Sequence, residues 1–113
     1  MDFNYLLALF FTSAFSDALL DIMKRDEKVV VATAAMPDGT GTSAAITQFP
    51  NRAWDTGICE SHAMDMLAGM AKAGCKPFFA VYSTFLQRAF DQAFQEVSLL
   101  LLQRLLVHLP KSK

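Results

Sequence analysis

Three short apolar runs alternate along this chain with patterns of helical spacing, and they constrain its fold more than any other feature. The clearest run is Val29-Val-Val-Ala-Thr33, whose unbroken β-branched character is typical of a parallel strand buried on both faces. A weaker run at 53–58 contains Asp55 and Gly57, and a third at 78–82 follows Pro77. Strands separated by helices predict an α/β fold in which helices flank a parallel sheet.

Helical spacing predicts the elements that cover this sheet. The first predicted helix starts at Thr12 or Ser13 as the N-cap. Its apolar stripe follows i, i+3, i+4, i+7 and i+8 spacing: Phe15, Ala18, Leu19, Ile22 and Met23. A second helix is predicted from about 61 to 73, closed by Gly74, with one apolar face: Met64, Leu67, Ala68 and Ala71. The last predicted helix has a single stripe: Leu86, Ala89, Phe90, Ala93, Phe94 and Val97.

Composition excludes several classes of protein. Of the 113 residues, 53% are hydrophobic, so a buried core is expected rather than disorder. Ten basic residues against 11 acidic ones give no electrostatic footprint for a nucleic acid. Two cysteines, Cys59 and Cys75, predict reduced thiols and a cytoplasmic location. The apolar run at 3–15 is shorter than the roughly 20 residues that span a bilayer, and Asp2 stands where a signal peptide is basic, so we expect neither membrane insertion nor targeting.

Polar residues follow the predicted strands at the edge where open parallel sheets bind their ligands. They lie in the 36–41 loop, at the 59–62 junction and at 83–85. The 36–41 loop is predicted to be a turn, and it lacks the glycine spacing and lysine of a P-loop. Cys59 and His62 are too few for a zinc site, so no metal site is predicted in this chain.

Three stretches, at 33–41, 49–63 and 76–92, carry a resemblance to a known family. They read Thr-Ala-Ala-Met-Pro-Asp-Gly-Thr-Gly, Phe-Pro-Asn-Arg-Ala-Trp-Asp-Thr-Gly-Ile-Cys-Glu-Ser-His-Ala, and a segment that contains Tyr-Ser-Thr-Phe-Leu-Gln-Arg. In this order and spacing they resemble the 1-deoxy-D-xylulose-5-phosphate synthases, which are transketolase-like enzymes. The resemblance covers 12–98, which we interpret as a truncated pyrimidine-binding domain of the transketolase-like, thiamine diphosphate-binding fold.

The resemblance implies an enzyme that condenses pyruvate with glyceraldehyde 3-phosphate and releases CO2, in the synthesis of isoprenoid, thiamine and pyridoxal precursors. It implies thiamine diphosphate as cofactor. It also implies Mg2+, whose ligands would lie in a diphosphate-binding domain that these 113 residues do not contain. The full enzyme is expected to be a homodimer, and the isolated chain is expected to be inactive.

The resemblance also assigns roles to individual residues. Glu60 would be the catalytic residue, since a carboxyl group that is hydrogen-bonded to N1′ of the aminopyrimidine ring activates thiamine. Phe85 would stack on that ring, and Ile58 would also contact the cofactor. Tyr82 and Arg88 would hold the phosphate end of glyceraldehyde 3-phosphate. Without the resemblance, most of these residues have a purely structural interpretation. An acidic residue such as Glu60 is favoured near the N-terminus of a helix by the helix dipole, and Phe85 and Tyr82 are compatible with ordinary packing. Arg88 is likewise compatible with a surface pair with Asp91.

Both ends depart from the family pattern. Residues 1–11 match nothing expected there, and 99–113 replace an expected Leu-Pro-Val strand with a leucine-rich segment predicted to be a helical tail. Such ends are compatible with a frameshift or a truncated gene. Two alternatives stay open: one half of a split thiamine diphosphate enzyme that needs a partner chain, or a non-catalytic remnant that associates through its leucine-rich tail.

Overall fold

A parallel sheet between two helical layers forms the centre of the protein. The structure, a computed structural model, describes residues 3–95 and 106–108. In chain order the elements are α1 (Phe3–Arg25), β1 (Val29–Thr33), α2 (Pro37–Thr40), α3 (Ser43–Gln48), β2 (Ala53–Asp55), α4 (Glu60–Lys72), β3 (Lys76–Ala80), a 3₁₀ helix (Leu86–Ala89), α5 (Phe90–Gln92) and β4 (Leu106–His108). Within these residues the strand order is β2-β1-β3-β4, and every neighbouring pair is parallel. The predicted α/β fold is confirmed.

Strand β1 has the predicted bounds and is buried along its whole length. Alternate side chains point to opposite faces of a strand, so β1 contributes to two cores. On one face Val30 and Ala32 pack with α4 and Phe79; on the other, Val29 and Val31 pack with α1 and α3. The protein therefore has three layers, with α1 and α3 on one side of the sheet and α4 on the other.

Helix α4 agrees closely with its prediction. Its four predicted core residues are all buried. Gly74 has a φ of +105°, and the amides of Gly74 and Cys75 donate to the carbonyls of Ala71 and Met70 at 3.1 and 2.9 Å. This pattern of bonds is the Schellman motif, in which a left-handed residue ends the helix. Glycine is required there because other residues rarely adopt that conformation.

The start of α1 was predicted wrongly. The helix begins at Phe3, so Thr12 and Ser13 lie within it and neither is the N-cap. No glycine or proline interrupts 3–11, and its leucines, phenylalanines and alanine permit helical structure. The predicted core stripe is also narrower than expected: Leu19 and Met23 are buried, but Ala18 is exposed.

Strand β3 starts two residues before its predicted beginning, so Pro77 lies inside it. The Lys76 amide donates to the Lys28 carbonyl at 2.8 Å, so the nitrogen of the next residue faces away from β1. On that side, the described residues of β4 pair with β3 from Phe78 onward. Proline is tolerated because no described strand requires its missing N–H. Strand β2 ends at Asp55, earlier than the predicted 53–58.

The last predicted helix is broken. A 3₁₀ helix is followed by α5 and by a π-helical turn at 93–95, and of the predicted stripe only Ala89 is fully buried. Phe90 and Phe94 are exposed and stack on each other with ring centroids 6.5 Å apart, so the single buried stripe was wrong for both. Val97 lies outside the described residues. Helical spacing therefore predicted one continuous helix where the chain forms three short helical segments.

Two other predictions for loops and tail need correction. The predicted turn at 36–41 contains the one-turn helix α2, closed by Gly41 in the left-handed region. The predicted helical tail is wrong at Leu106–His108, which form strand β4 beside β3. The rest of 99–113 lies outside the described residues. Over the described ranges, no helix is both long and apolar enough to span a bilayer.

Arg52 joins the end of α1 to the beginning of the sheet. Its guanidinium group donates hydrogen bonds to three backbone carbonyls: those of Met23 at 2.8 Å, Asp26 at 3.0 Å and Val29 at 3.3 Å. It also lies over the Phe49 ring, 4.6 Å from the centroid. A cation at the C-terminus of a helix interacts favourably with the helix dipole. One side chain therefore ties the C-terminus of α1 to the beginning of β1.

We predict that Arg52→Met lowers the free energy of unfolding by about 2–3 kcal/mol, because partly buried carbonyls lose a charged donor. Arg25→Met is the matched control. It removes only an exposed i,i+4 pair with Asp21 and should cost no more than about 0.5 kcal/mol. Urea unfolding followed by circular dichroism measures both. Equal losses in the two variants would contradict this role of Arg52.

Asp26 and Lys76 form an ion pair at the edge of the sheet where β1 and β3 begin. Lys76 Nζ lies 2.6 Å from Asp26 Oδ2, and the Lys28 amide donates to Asp26 Oδ1 at 2.9 Å. The hydrogen bond from Lys76, followed by that from Lys28, holds the pKa of Asp26 below its ordinary value. A carboxyl group whose pKa is lowered by folding stabilises the native state above its unfolded pKa, and this contribution is lost as the pH falls through the folded value.

We therefore predict that stability declines below about pH 4 and that Lys76→Met makes this decline shallower. The control is Lys72→Met, which changes an exposed lysine of α4. Urea midpoints measured between pH 7 and pH 3 test the prediction. An unchanged acid-side slope in Lys76→Met would refute it.

Candidate functional site

The three loops that follow β1, β2 and β3 meet at the carboxyl edge of the sheet, because these strands run parallel. The Thr56 amide donates to the Thr33 carbonyl at 2.9 Å, which joins the loops after β2 and β1. Gly39 contacts the ring of Tyr82, which joins the loops after β1 and β3. The predicted ligand-binding segments at 36–41, 59–62 and 83–85 thus lie at one edge.

Glu60 is the first residue of α4 and is only 3% exposed. Its nearest ionic partner is Arg88, whose Nη1 lies 3.8 Å from Glu60 Oε2. That separation is longer than a hydrogen bond. Among the described residues, no group donates a hydrogen bond to this carboxylate. The positive end of the α4 dipole favours its charge but leaves its lone pairs unsatisfied.

A buried carboxyl group without a hydrogen-bond partner is costly. Most buried side-chain polar atoms in native proteins have a partner, and burial of a charge without one is more expensive than burial of a neutral group. Glu60 therefore occupies a position that folding alone does not favour. Glu60 lies at the carboxyl edge of the sheet, which is where open parallel sheets bind their ligands.

Arg88 approaches Glu60 from the 3₁₀ helix. Its side chain is 59% exposed, so the guanidinium group also remains accessible to solvent. Its carbonyl accepts a hydrogen bond from Ser61 Oγ at 2.6 Å, which ties the 3₁₀ helix to the first turn of α4. Over the described range the ion pair of Arg88 is with Glu60, and no pair with Asp91 is formed. The structure thus brings Arg88 to Glu60 and not to the surface partner that spacing suggested.

Tyr82 and Phe85 form an aromatic pair beside this ion pair. Their rings are nearly parallel, at 6°, with centroids 6.0 Å apart. The amides of Phe85 and Leu86 both donate to the Tyr82 carbonyl, which holds the turn between the two rings. Phe85 is 36% exposed, so part of its ring remains available to a planar ligand. Phe85 is therefore not an ordinary core phenylalanine.

Ile58 lies in the loop between β2 and α4, two residues before Glu60, and is 71% exposed. The neighbouring Cys59 and His62 are exposed as well. Within 3–95 and 106–108, no group of three or more His, Cys, Asp or Glu side chains is arranged to hold a metal ion. Of the five predicted site residues, the structure joins Glu60 to Arg88 and Tyr82 to Phe85, and it leaves the Ile58 side chain facing solvent.

Asp55 is a structural residue of the site that sequence reasoning did not identify. Its Oδ1 accepts hydrogen bonds from the amides of Ala35 at 2.7 Å and Gly57 at 2.9 Å. Ala35 has a φ of +62°, which is uncommon for a residue with a side chain. Asp55 therefore holds together the loops after β1 and β2 that precede the site. The spacing Asp-x-Gly was the available signal, since Asp often bonds to the amide two residues further on.

Three buried threonine hydroxyls hold the loop after β1. Thr40 Oγ1 donates to the Met36 carbonyl at 2.7 Å, and it lies 3.1 Å from the hydroxyl of Thr42. Thr42 Oγ1 donates to the Pro37 carbonyl at 3.3 Å. Thr33 completes the cluster, with its hydroxyl 3.4 Å from that of Thr40. These bonds hold the short helix α2 in place beneath Tyr82.

Comparison with known proteins identifies the fold that carries this site. The family model described as transketolase, pyrimidine binding domain matches residues 8–111. This range is wider than the predicted domain at 12–98 and enters both ends interpreted as divergent. The relatives below align over fewer residues than the family model covers, so the boundaries at 12 and 98 stay a prediction.

Curated relatives in several bacteria are named 1-deoxy-D-xylulose-5-phosphate synthase. The chain is 56% identical over 89 residues to that of Wolinella succinogenes, 54% over 87 residues to that of Clostridium perfringens, and 53% over 89 residues to that of Heliobacterium modesticaldum. These alignments cover 79%, 77% and 79% of this chain and 14% of each relative. The chain is thus a short fragment by comparison with its relatives, and it belongs to the transketolase pyrimidine-binding domain family in its 1-deoxy-D-xylulose-5-phosphate synthase branch.

Proposed function

We propose that this chain is the aminopyrimidine-binding part of a thiamine diphosphate-dependent enzyme that condenses pyruvate with glyceraldehyde 3-phosphate to 1-deoxy-D-xylulose 5-phosphate and CO2. The observation that carries the proposal is the buried Glu60 carboxylate, which has no hydrogen-bond partner in the described part of the chain. The relatives, which are named 1-deoxy-D-xylulose-5-phosphate synthase, support the reaction proposed for the whole enzyme.

Glu60 fits one atom of the cofactor. The aminopyrimidine ring offers N1′, a ring nitrogen that bonds to a carboxyl group when a proton lies between them. Glu60 would hold a proton at N1′, which would give its carboxyl group the partner that the protein does not supply. When bound, thiamine diphosphate supplies the nucleophilic carbon and the electron sink for decarboxylation and carboligation, while the protein supplies orientation and electrostatics.

Phe85 and Ile58 would hold the faces of the same ring. The half-exposed Phe85 ring is supported from behind by Tyr82, and stacking contributes about 0.5–1.5 kcal/mol beyond simple burial. Ile58 is solvent-exposed in the loop that leads to Glu60, so its side chain is available to cover the pyrimidine. These two contacts would orient N1′ toward the carboxylate.

Arg88 and Tyr82 would bind the phosphate end of glyceraldehyde 3-phosphate. The guanidinium group of Arg88 is mostly exposed, and its planar fork suits phosphate oxygens. The Tyr82 hydroxyl would add a neutral donor. Arg88 also neighbours Glu60, so this arrangement would place the bound aldehyde close to the cofactor.

Several properties of the whole enzyme stay predictions. We place the Mg2+ ligands in a diphosphate-binding domain, outside these 113 residues, and we infer that the chain is inactive without that domain. Homodimeric assembly is inferred from the resemblance and a cytoplasmic location from the two cysteines, and the split enzyme stays an open alternative.

A chimera tests the proposed role of Glu60. In it, the matched 89 residues of this chain replace those of the Wolinella succinogenes synthase. We predict that Glu60→Gln lowers kcat by about 10²–10⁴-fold, the usual range for a lost proton-transfer group. The control is Asp65→Asn, an equivalent change at an exposed position of the same helix, which should leave kcat unchanged. Full activity of Glu60→Gln would exclude the proposed role.

The same chimera tests Arg88. Arg88→Met should raise KM for glyceraldehyde 3-phosphate by about 10–100-fold, since a charged pair to phosphate is lost. With unphosphorylated glyceraldehyde as acceptor, the variant and the parent chimera should differ little. Gln87→Met, at the exposed neighbouring position, serves as control. An equal loss with both acceptors would show that Arg88 acts through Glu60 or the fold rather than through phosphate.

A further inference from the structure

Gly39 lies in the middle of α2, directly against the ring of Tyr82. A Cβ atom built at this position would overlap the Tyr82 hydroxyl oxygen and would lie 2.9 Å from Cζ and 3.3 Å from Cε1. The glycines with positive φ are Gly41, Gly57 and Gly74, so the backbone of Gly39 does not itself require glycine. Because Gly39 has no side chain, the Tyr82 ring can approach its backbone closely.

The backbone of α2 is held too firmly to yield to a larger residue. Thr40 and Thr42 bond to the Met36 and Pro37 carbonyls, and the Thr40 hydroxyl lies 3.4 Å from that of Thr33 in β1. At its end, Gly41 packs against α1, where a Cβ would lie 2.8 Å from the Thr12 carbonyl oxygen. A side chain at position 39 would therefore displace the Tyr82 ring rather than the helix.

Displacement of Tyr82 would move Phe85. The two rings lie parallel with centroids 6.0 Å apart, and the Tyr82 carbonyl accepts the amide hydrogen bonds of the turn that carries Phe85. No hydrogen bond within 3–95 or 106–108 holds the Tyr82 hydroxyl, so packing against Gly39 determines where this ring sits.

We propose that Gly39 is a positioning residue: the space left by its missing side chain seats Tyr82, and Tyr82 in turn sets the exposed face of Phe85. The consequence for the cofactor rests on the function proposed above, because it requires that Phe85 stack on the aminopyrimidine ring. The residue at position 39 would then control affinity for that ring without touching it.

The test compares Gly39→Ala with Gly69→Ala in the 113-residue chain. Gly69 lies at an exposed position of α4 with open space around it, so an added methyl group there should leave the Tyr82 and Phe85 rings undisturbed. In the unsubstituted chain, NMR should show nuclear Overhauser contacts between Gly39 and the Tyr82 ring, and between the Tyr82 and Phe85 rings. Gly39→Ala should abolish the contacts between the two rings, whereas Gly69→Ala should retain them.

The double variant Gly39→Ala/Tyr82→Phe checks the cause. It removes the hydroxyl overlap and leaves a 2.9 Å approach to Cζ, which a small shift relieves, so contacts between the rings should return. If Gly39→Ala does not fold, recovery of folding in the double variant gives the same answer. Retained ring contacts in Gly39→Ala, or failure of the double variant to restore them, would overturn the proposal.

Thiamine affinity separates this inference from the proposed function. NMR titration with thiamine should show binding that is roughly three- to tenfold weaker in Gly39→Ala and unchanged in Gly69→Ala. If the unsubstituted chain binds no thiamine, the proposed function loses its support, while the ring contacts still decide the role of Gly39. Ring displacement with unchanged thiamine affinity would overturn the functional consequence alone.

Discussion

A single carboxylate, that of Glu60, is the constraint around which the described structure is arranged. It is buried at the start of α4, close to the positive end of the helix dipole and 3.8 Å from a partly exposed arginine. Neither feature gives it a hydrogen bond, so the carboxylate is an unsatisfied acceptor among the residues that the structure describes. The free-energy cost of folding would be lower if this carboxylate were exposed to water. The burial is intelligible if a ligand completes the bonding of Glu60.

The rest of the edge is built to keep that carboxylate and its surroundings in place. Asp55 joins the loops after β1 and β2, and Ser61 joins α4 to the 3₁₀ helix that carries Arg88. The buried threonines hold α2 against the Tyr82 ring. None of these residues needs to contact a ligand. Their hydrogen bonds fix these segments relative to one another, as a binding site with one ligand orientation would require.

The sequence predicted those parts of the fold whose pattern is local and continuous. β1 is an unbroken β-branched run, and α4 combines one apolar face with a terminal glycine, so both were predicted closely. The start of α1 was missed because its first residues are almost all apolar and show no separate stripe. The single stripe predicted for the last helix was wrong because Phe90 and Phe94 have core-like spacing but pack on each other at the surface. Local periodicity does not show which apolar residues find a partner elsewhere in the chain.

The site was predictable in its residue types but not in its geometry. The resemblance selected Glu60 and Arg88, yet the burial of the one and its contact with the other depend on two elements that are distant in sequence. The contact between Gly39 and Tyr82 is likewise invisible in the sequence, where Gly39 reads as one glycine of a turn. Motifs identify the groups that could carry the chemistry. The three-dimensional arrangement is needed to show which of these groups lack a hydrogen-bond partner within the described residues.

The most direct measurement is the ¹⁵N chemical shift of N1′ in labelled thiamine diphosphate bound to the chimera. A bond between Glu60 and N1′ predicts a resonance displaced toward that of the protonated ring in the parent chimera and a return toward that of the free cofactor in Glu60→Gln. An identical N1′ resonance in both proteins, with the cofactor bound in each, would contradict the account.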